Sequence, residues 1–189
     1  MKKKTKIIAL LVSLSLAVAA FAFGAVSVLK ALYPLGYADF VEAYAEKYNV
    51  EKSFIFAVIK CESGFDEKAV SYVGAKGLMQ IMPETFQWLK TKTKEELPEE
   101  MLFDGETSIK YGCFMYSMLL EKYENKETAV AAYHAGTTNV SKWLKDERFS
   151  KDGKTLSEIP FESTKNYVSK VILTEKIYKK LYKSLNNGG

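Results

Sequence analysis

Ser53-Phe54-Ile55-Phe56-Ala57-Val58-Ile59-Lys60-Cys61-Glu62-Ser63-Gly64 is the stretch from which the fold is read. Phe54 to Glu62 is long enough for a helix and apolar nearly all round. A helix of that kind has no water-facing side, so it belongs at the centre of a domain. Gly64 is placed to end it, because glycine takes the left-handed conformation found after helices. The helix thus delivers one acid, Glu62, to the end of a buried segment. The C-terminal end of a helix carries partial negative charge and disfavours a carboxylate. Burial disfavours the ionised form as well. Both effects raise the pKa and keep a proton available near neutrality for general acid catalysis. The plainer alternative is an exposed helix-end residue paired with a lysine.

Outward from this stretch the chain reads as helices. Asp39 can cap a helix that carries Phe40, Val41, Tyr44, Ala45 and Tyr48 at helical spacing. Downstream, a loop holds Gly74 and Gly77, and Pro83 opens a helix from Glu84 to Lys90. Thr91 to Leu102 is polar, carries Pro98 and reads as a surface loop. Asp104 caps a long helix to about Tyr123. Another spans Glu127 to His134 and stops at Gly136. A short one holds Val140, Trp143 and Leu144. The last runs from Glu162 to Leu185. No run alternates with period two, so the expected class is all-α, with at most a short irregular strand near Gly77–Ile81.

Residues 1–30 hold five of the 27 basic residues and no acid, which leaves 22 basic against 23 acidic residues beyond them. The net charge of +4 is therefore a property of the N-terminus and makes no case for nucleic-acid binding. Lys2, Lys3, Lys4 and Lys6 precede an uncharged stretch from Ile7 to Leu29, long enough to cross a bilayer. Lysines before such a stretch stay in the cytoplasm and send the C-terminal part of the chain outward. Ala17-Val18-Ala19 and Ala20-Phe21-Ala22 also resemble signal-peptidase sites, so a cleaved signal peptide is the alternative to an anchor. The expected organisation is an anchor or signal over 1–29, a linker over 30–38, and a catalytic domain over 39–186. At about 3.5 Å per residue, the linker reaches only about 30 Å. Cys61 and Cys113 permit one disulfide or two buried thiols. The spacing fits no metal site and His134 is the sole histidine, so a zinc centre is not expected.

Four segments carry a resemblance. They are Cys61-Glu62-Ser63-Gly64-Phe65; Gly74-Ala75-Lys76-Gly77-Leu78-Met79-Gln80-Ile81-Met82-Pro83; Ala132-Tyr133-His134-Ala135-Gly136; and Ile159-Pro160-Phe161-Glu162-Ser163-Thr164 leading to Tyr167-Val168. Their order and separations resemble the soluble lytic transglycosylase family from roughly Tyr37 to Tyr178. The resemblance implies a lysozyme-like α fold, peptidoglycan glycan strands as substrate and no cofactor. It implies cleavage of the β-1,4 bond between N-acetylmuramic acid and N-acetylglucosamine without water, leaving a 1,6-anhydro end. Glu62 would act as acid and then base, and the substrate's own N-acetyl group would stabilise the cation. That accounts for one carboxylate where ordinary glycosidases place two.

The resemblance also makes Ser63, Met79, Gln80, Tyr133, His134 and Tyr167 the expected substrate-binding residues. Tyr167 matches a family tyrosine beside the catalytic glutamate. His134 departs from the pattern, where asparagine is usual; histidine still offers a donor and an acceptor. Asp66 and Glu67 are the candidates for a second carboxylate. They mark the alternative of a hydrolytic muramidase on the same fold. A non-catalytic peptidoglycan-binding scaffold is the third reading.

Overall fold

In the computed structural model, which describes residues 2–186, helix α3 (Lys52–Glu62) is the buried rod its composition requires. Phe54 to Ile59 are each at most 2% exposed. Burying each large apolar side chain contributes roughly 1.5–3 kcal/mol, so this helix anchors the core. The chain divides into two units, Met1–Pro34 and Leu35–Gly189. The first is helix α1 (Lys2–Leu32), whose described side chains are exposed and, from Ile7 to Leu29, uncharged and mostly apolar. Met1 and the side chains of Lys2, Lys3 and Lys4, part of the expected topology signal, lie outside the described residues.

The second unit is all-α. It contains α2 (Ala38–Lys47), α3, α4 (Pro83–Thr93), α5 (Gly105–Tyr123), α6 (Lys126–Ala135), α7 (Thr137–Trp143) and α8 (Glu162–Leu181). Helix α3 packs chiefly on α8, and α6 lies against both α5 and α8. Aromatic edges fill the joints: Phe54 meets Tyr116 with ring centroids 4.8 Å apart, and Phe86 meets Tyr111 at 4.7 Å. Asp104 caps α5 as expected, accepting from the Thr107 amide at 2.8 Å. Asn125 does the same for α6.

Several boundaries differ from the sequence reading. Asp39 lies inside the first turn of α2, where its charge complements the helix dipole; Tyr37, in the left-handed region, occupies the cap position. Thr91 to Leu102 is not all loop. Helix α4 continues to Thr93, and Glu99–Phe103 forms a 3₁₀ turn because Leu102 is fully buried. The final helix ends at Leu181, and a 3₁₀ turn comes after it over Lys183–Asn186. The expected strand is reduced to isolated bridges, Val70 with Lys76 and Lys76 with Ile81.

Those bridges organise the segment between α3 and α4. Gly77 has φ +74, and a Cβ there would sit 1.8 Å from the Leu102 carbonyl oxygen. Only glycine allows that approach. Next to it, Met79 packs its side chain against Gly112 of α5, where an added Cβ would lie 2.5 Å from the methionine methyl. The two glycines let this loop lie directly on the 3₁₀ turn and α5.

Candidate active site

Glu62 stands in the last turn of α3, where the chain turns away through Ser63 and Gly64. Both of their amides donate to the Ile59 carbonyl, each at 3.1 Å. Gly64 takes φ +62 at no steric cost. Burial drives the Glu62 carboxyl up to about 7, although a hydrogen bond from Tyr167 and the charge of Lys170 pull it down. Tyr167, 105 residues downstream on α8, donates to Oε1 at 2.5 Å.

Two further tyrosines stand behind this pair. The Tyr116 hydroxyl lies 3.4 Å from that of Tyr167. The Tyr116 ring stacks on Tyr133 at 4.2 Å, with planes 8° apart. Burial first, and then neighbouring charge, raises all three phenols well above their usual range, so they act as neutral hydrogen-bonding groups. Tyr133 donates to the Met79 carbonyl at 2.6 Å and so joins α6 to the loop after α3. The tyrosines from α5, α6 and α8 meet around the end of α3.

The structure brings Glu62, Tyr133, His134 and Tyr167 together. His134 is exposed at the end of α6, and its ring lies 4.6 Å from that of Tyr167, 25° from parallel. Its Nδ1 is 3.0 Å from the Thr164 hydroxyl. Partial desolvation, on the ring face that lies against Tyr167, lowers its pKa below the ordinary value. Ser63 is adjacent but internally committed: its hydroxyl donates to the Ile59 carbonyl at 3.2 Å and accepts from the Phe65 amide at 3.1 Å. Gln80 donates to the carbonyls of Ala69 and Gly77, at 3.1 and 2.9 Å, and braces its own loop. Met79 enters the arrangement through its main-chain carbonyl, since its side chain is fully buried.

Asp66 and Glu67 are committed elsewhere. Asp66 accepts from the Lys68 amide at 2.9 Å, and Glu67 accepts from the Tyr37 hydroxyl at 3.1 Å. Neither contributes to the shift at Glu62, which arises from burial, Tyr167 and Lys170. Both cysteines are free thiols, Cys61 beside Thr174 and Cys113 buried, so the disulfide alternative is not realised. Among the described residues no group of His, Cys, Asp or Glu converges as a metal site. Tyr116 was missed by the sequence reading, because it resembles an ordinary core residue. Thr164 entered only as the end of the fourth resembling segment, and Lys170 reads as one more lysine on a solvated face.

A carboxyl with a pKa of about 7 holds and releases a proton with equal ease near neutrality. It can serve as an acid in one step and a base in the next.

The profile of the Transglycosylase SLT domain family matches residues 39–156. The chain is similar to the soluble lytic murein transglycosylase of Salmonella typhimurium, at 32% identity over 157 residues, covering 80% of this chain and 24% of that protein. It is also similar to the membrane-bound lytic murein transglycosylase C of Haemophilus ducreyi, at 25% identity over 158 residues, covering 71% of this chain and 43% of that protein. The solved structure of the lytic transglycosylase Slt of Pseudomonas aeruginosa, an inactive glutamate-to-glutamine mutant, matches with a TM-score of 0.73 at 30% identity. That match covers 85% of this chain and 26% of the other. The chain therefore spans about a quarter of the length of the soluble relatives it matches.

Proposed function

The chain belongs to the Transglycosylase SLT domain family, and from that premise we propose that it is a lytic transglycosylase of peptidoglycan with Glu62 as its single acid and base. The reaction breaks the β-1,4 bond between N-acetylmuramic acid and N-acetylglucosamine. In the first step Glu62 gives its proton to the leaving glycosidic oxygen as the bond to the anomeric carbon opens. In the second, the carboxylate takes the proton of the muramyl 6-hydroxyl as that oxygen closes on the anomeric carbon. The proton balance at Glu62 is restored, no water is consumed, and the product ends in a 1,6-anhydro sugar. No metal or cofactor is required.

The observation that carries this reading is the Glu62 carboxyl itself, half-buried, held by Tyr167 at 2.5 Å and poised at about 7. Burial supplies the protonated form, and Tyr167 stabilises the anion that forms when the proton leaves. The inactive glutamate-to-glutamine mutant of the Pseudomonas relative supports a glutamate in this role. Ser63, Met79, Gln80, Tyr133 and His134 line or brace the glycan site in this reading. The engagements of Asp66 and Glu67 favour a one-carboxylate mechanism over a hydrolytic one.

We also propose that α1 anchors the protein in a membrane, with the catalytic unit on the extracytoplasmic side. Thr5–Leu32 is long and apolar enough to span a bilayer. The basic residues before it orient it by the positive-inside rule.

Mass spectrometry of peptidoglycan fragments tests the chemistry, with Glu62→Gln as the control. The expected fragments are one water lighter than hydrolytic products and disappear with the variant. Full-mass reducing fragments would identify a muramidase instead. Absence of fragments from both proteins, with the wall polymer still bound, would identify a scaffold.

A further inference from the structure

We propose that His134 is a positioning residue, clamping the ring of Tyr167 so that its phenol stays aimed at Glu62. The inference deepens the proposed function, since it rests on Glu62 being the acid. Tyr167 lies in the second turn of α8, near the helix start at Glu162. Its hydroxyl is engaged by Glu62 and Tyr116, but those bonds reach only the tip of the side chain. One face of its ring is covered by the His134 imidazole, 4.6 Å away and 25° from parallel. The imidazole is itself fixed one helical turn earlier, through Nδ1 and the buried Thr164 hydroxyl at 3.0 Å. Thus His134 holds α8 at two points three residues apart, on the face that presents Tyr167 to α3.

Asparagine, the usual residue at this place in the family motif, can bond to a hydroxyl but has no ring to lay on the phenol. The ring contact on Tyr167 is therefore one that asparagine in this place would not make. The consequence is electrostatic. The bond from Tyr167 holds the Glu62 carboxyl below the value that burial alone would impose. Loosening the clamp weakens that bond and lets the pKa rise.

The titratable and charged groups around the pair come from every neighbouring element: Cys61 from α3, Tyr116 from α5, Tyr133 and His134 from α6, and Lys170 from α8. The Cys61 thiol and both phenols are raised by burial and do not titrate near neutrality. Desolvation of the ring lowers His134 from its ordinary value, the direction opposite to the shift at Glu62. A midpoint read at the Glu62 carboxyl carbon reports Glu62 alone.

The test uses the full chain in detergent micelles with carbon-13 at the glutamate side-chain carboxyls. The Glu62 resonance is identified by its loss in Glu62→Gln, and its titration midpoint is read in each variant. Tyr167→Phe sets the reference, an upward shift. His134→Asn is expected to shift the midpoint upward too, by about 0.5–1 unit, a partial loss of a hydrogen bond to a charged group. His134→Phe, which keeps a ring against Tyr167 but loses the bond to Thr164, should shift by less than half as much as His134→Asn.

The proposal is overturned if His134→Asn titrates like wild type while Tyr167→Phe shifts. It is equally overturned if His134→Phe shifts as far as the asparagine variant, or if Tyr167→Phe does not shift at all. A purely structural histidine would lower the melting temperature of both His134 variants and leave the midpoint in place. Because the titration needs no turnover, a chain that fails to cleave glycan would refute the proposed function and leave the clamp testable.

Discussion

Replacing Glu62 by glutamine keeps the shape of the side chain and removes its proton. In the proposed mechanism this costs about 10²–10⁴-fold in kcat, the usual worth of general acid–base catalysis. Release of soluble glycan fragments checks it. In the wild-type chain the first step needs the protonated form, so kcat/KM should fall as pH rises through about 7. The same shift has a stability sign. The folded-state pKa is raised above the unfolded 4.5, so the folded protein binds more protons between 4.5 and about 7. Stability from this group is complete below 4.5 and lost as pH rises through 7. Glu62→Gln should therefore melt higher than wild type at pH 8, with the gap closing below pH 4.5; an equal gap at both pH values would refute this. Glu62 was legible because a charge ending an apolar run is a physical anomaly. Tyr116 was not, because a tyrosine on an apolar helix face looks the same whether or not its hydroxyl reaches another buried phenol. The internal bonds of Ser63 and Gln80 were equally hidden, since they depend on backbone angles such as φ +47 at Gln80.

Among the elements, the loop between α3 and α4 is the most exacting. Gly77→Ala would press a methyl group into the Leu102 carbonyl at a positive φ. Urea unfolding should show a loss of at least about 2 kcal/mol, more than an unstrained glycine site would lose. A second device ties the helices around the site. Glu175, 4% exposed on α8, pairs with Lys126 of α6 at 2.7 Å and with Lys179 at 2.8 Å, and both lysines also pair with Glu51, which precedes α3. Glu175→Gln leaves two partly buried lysines with one exposed carboxylate. A loss of about 2–3 kcal/mol is expected in the same unfolding measurement, below the full cost of a broken buried pair because the lysines are partly solvated. Helix periodicity, Asp104, Pro83 and Gly64 made these elements readable in advance. The 3₁₀ turn at Glu99–Phe103 was not readable, because a single buried leucine among acidic residues leaves no period to detect. The cap at Asn125 was overlooked for a different reason. Asparagine also marks turns, and the lysine and glutamate after it do not distinguish the two.

At the scale of the molecule, the chain has two parts with different solvents in prospect. Helix α1 covers about 46 Å at 1.5 Å per residue, enough for the roughly 30 Å hydrocarbon layer. The full chain should sediment with membranes through an alkaline wash, while residues 35–189 alone should stay in the supernatant with an unchanged thermal transition. The all-α class came from the absence of period-two runs. The meeting of helices at the site was legible only through the family resemblance, because contacts between distant segments leave no local trace. Glu62 and Tyr167 are 105 residues apart, and Tyr133 reaches 54 residues back to Met79. Helices close on themselves within microseconds, whereas pairings across such spans wait for the chain to be brought round. On dilution from urea, far-ultraviolet ellipticity should return first and glycan cleavage last; in the proposed reading, a chain newly emerged across a membrane would be helical before it could cut the wall around it.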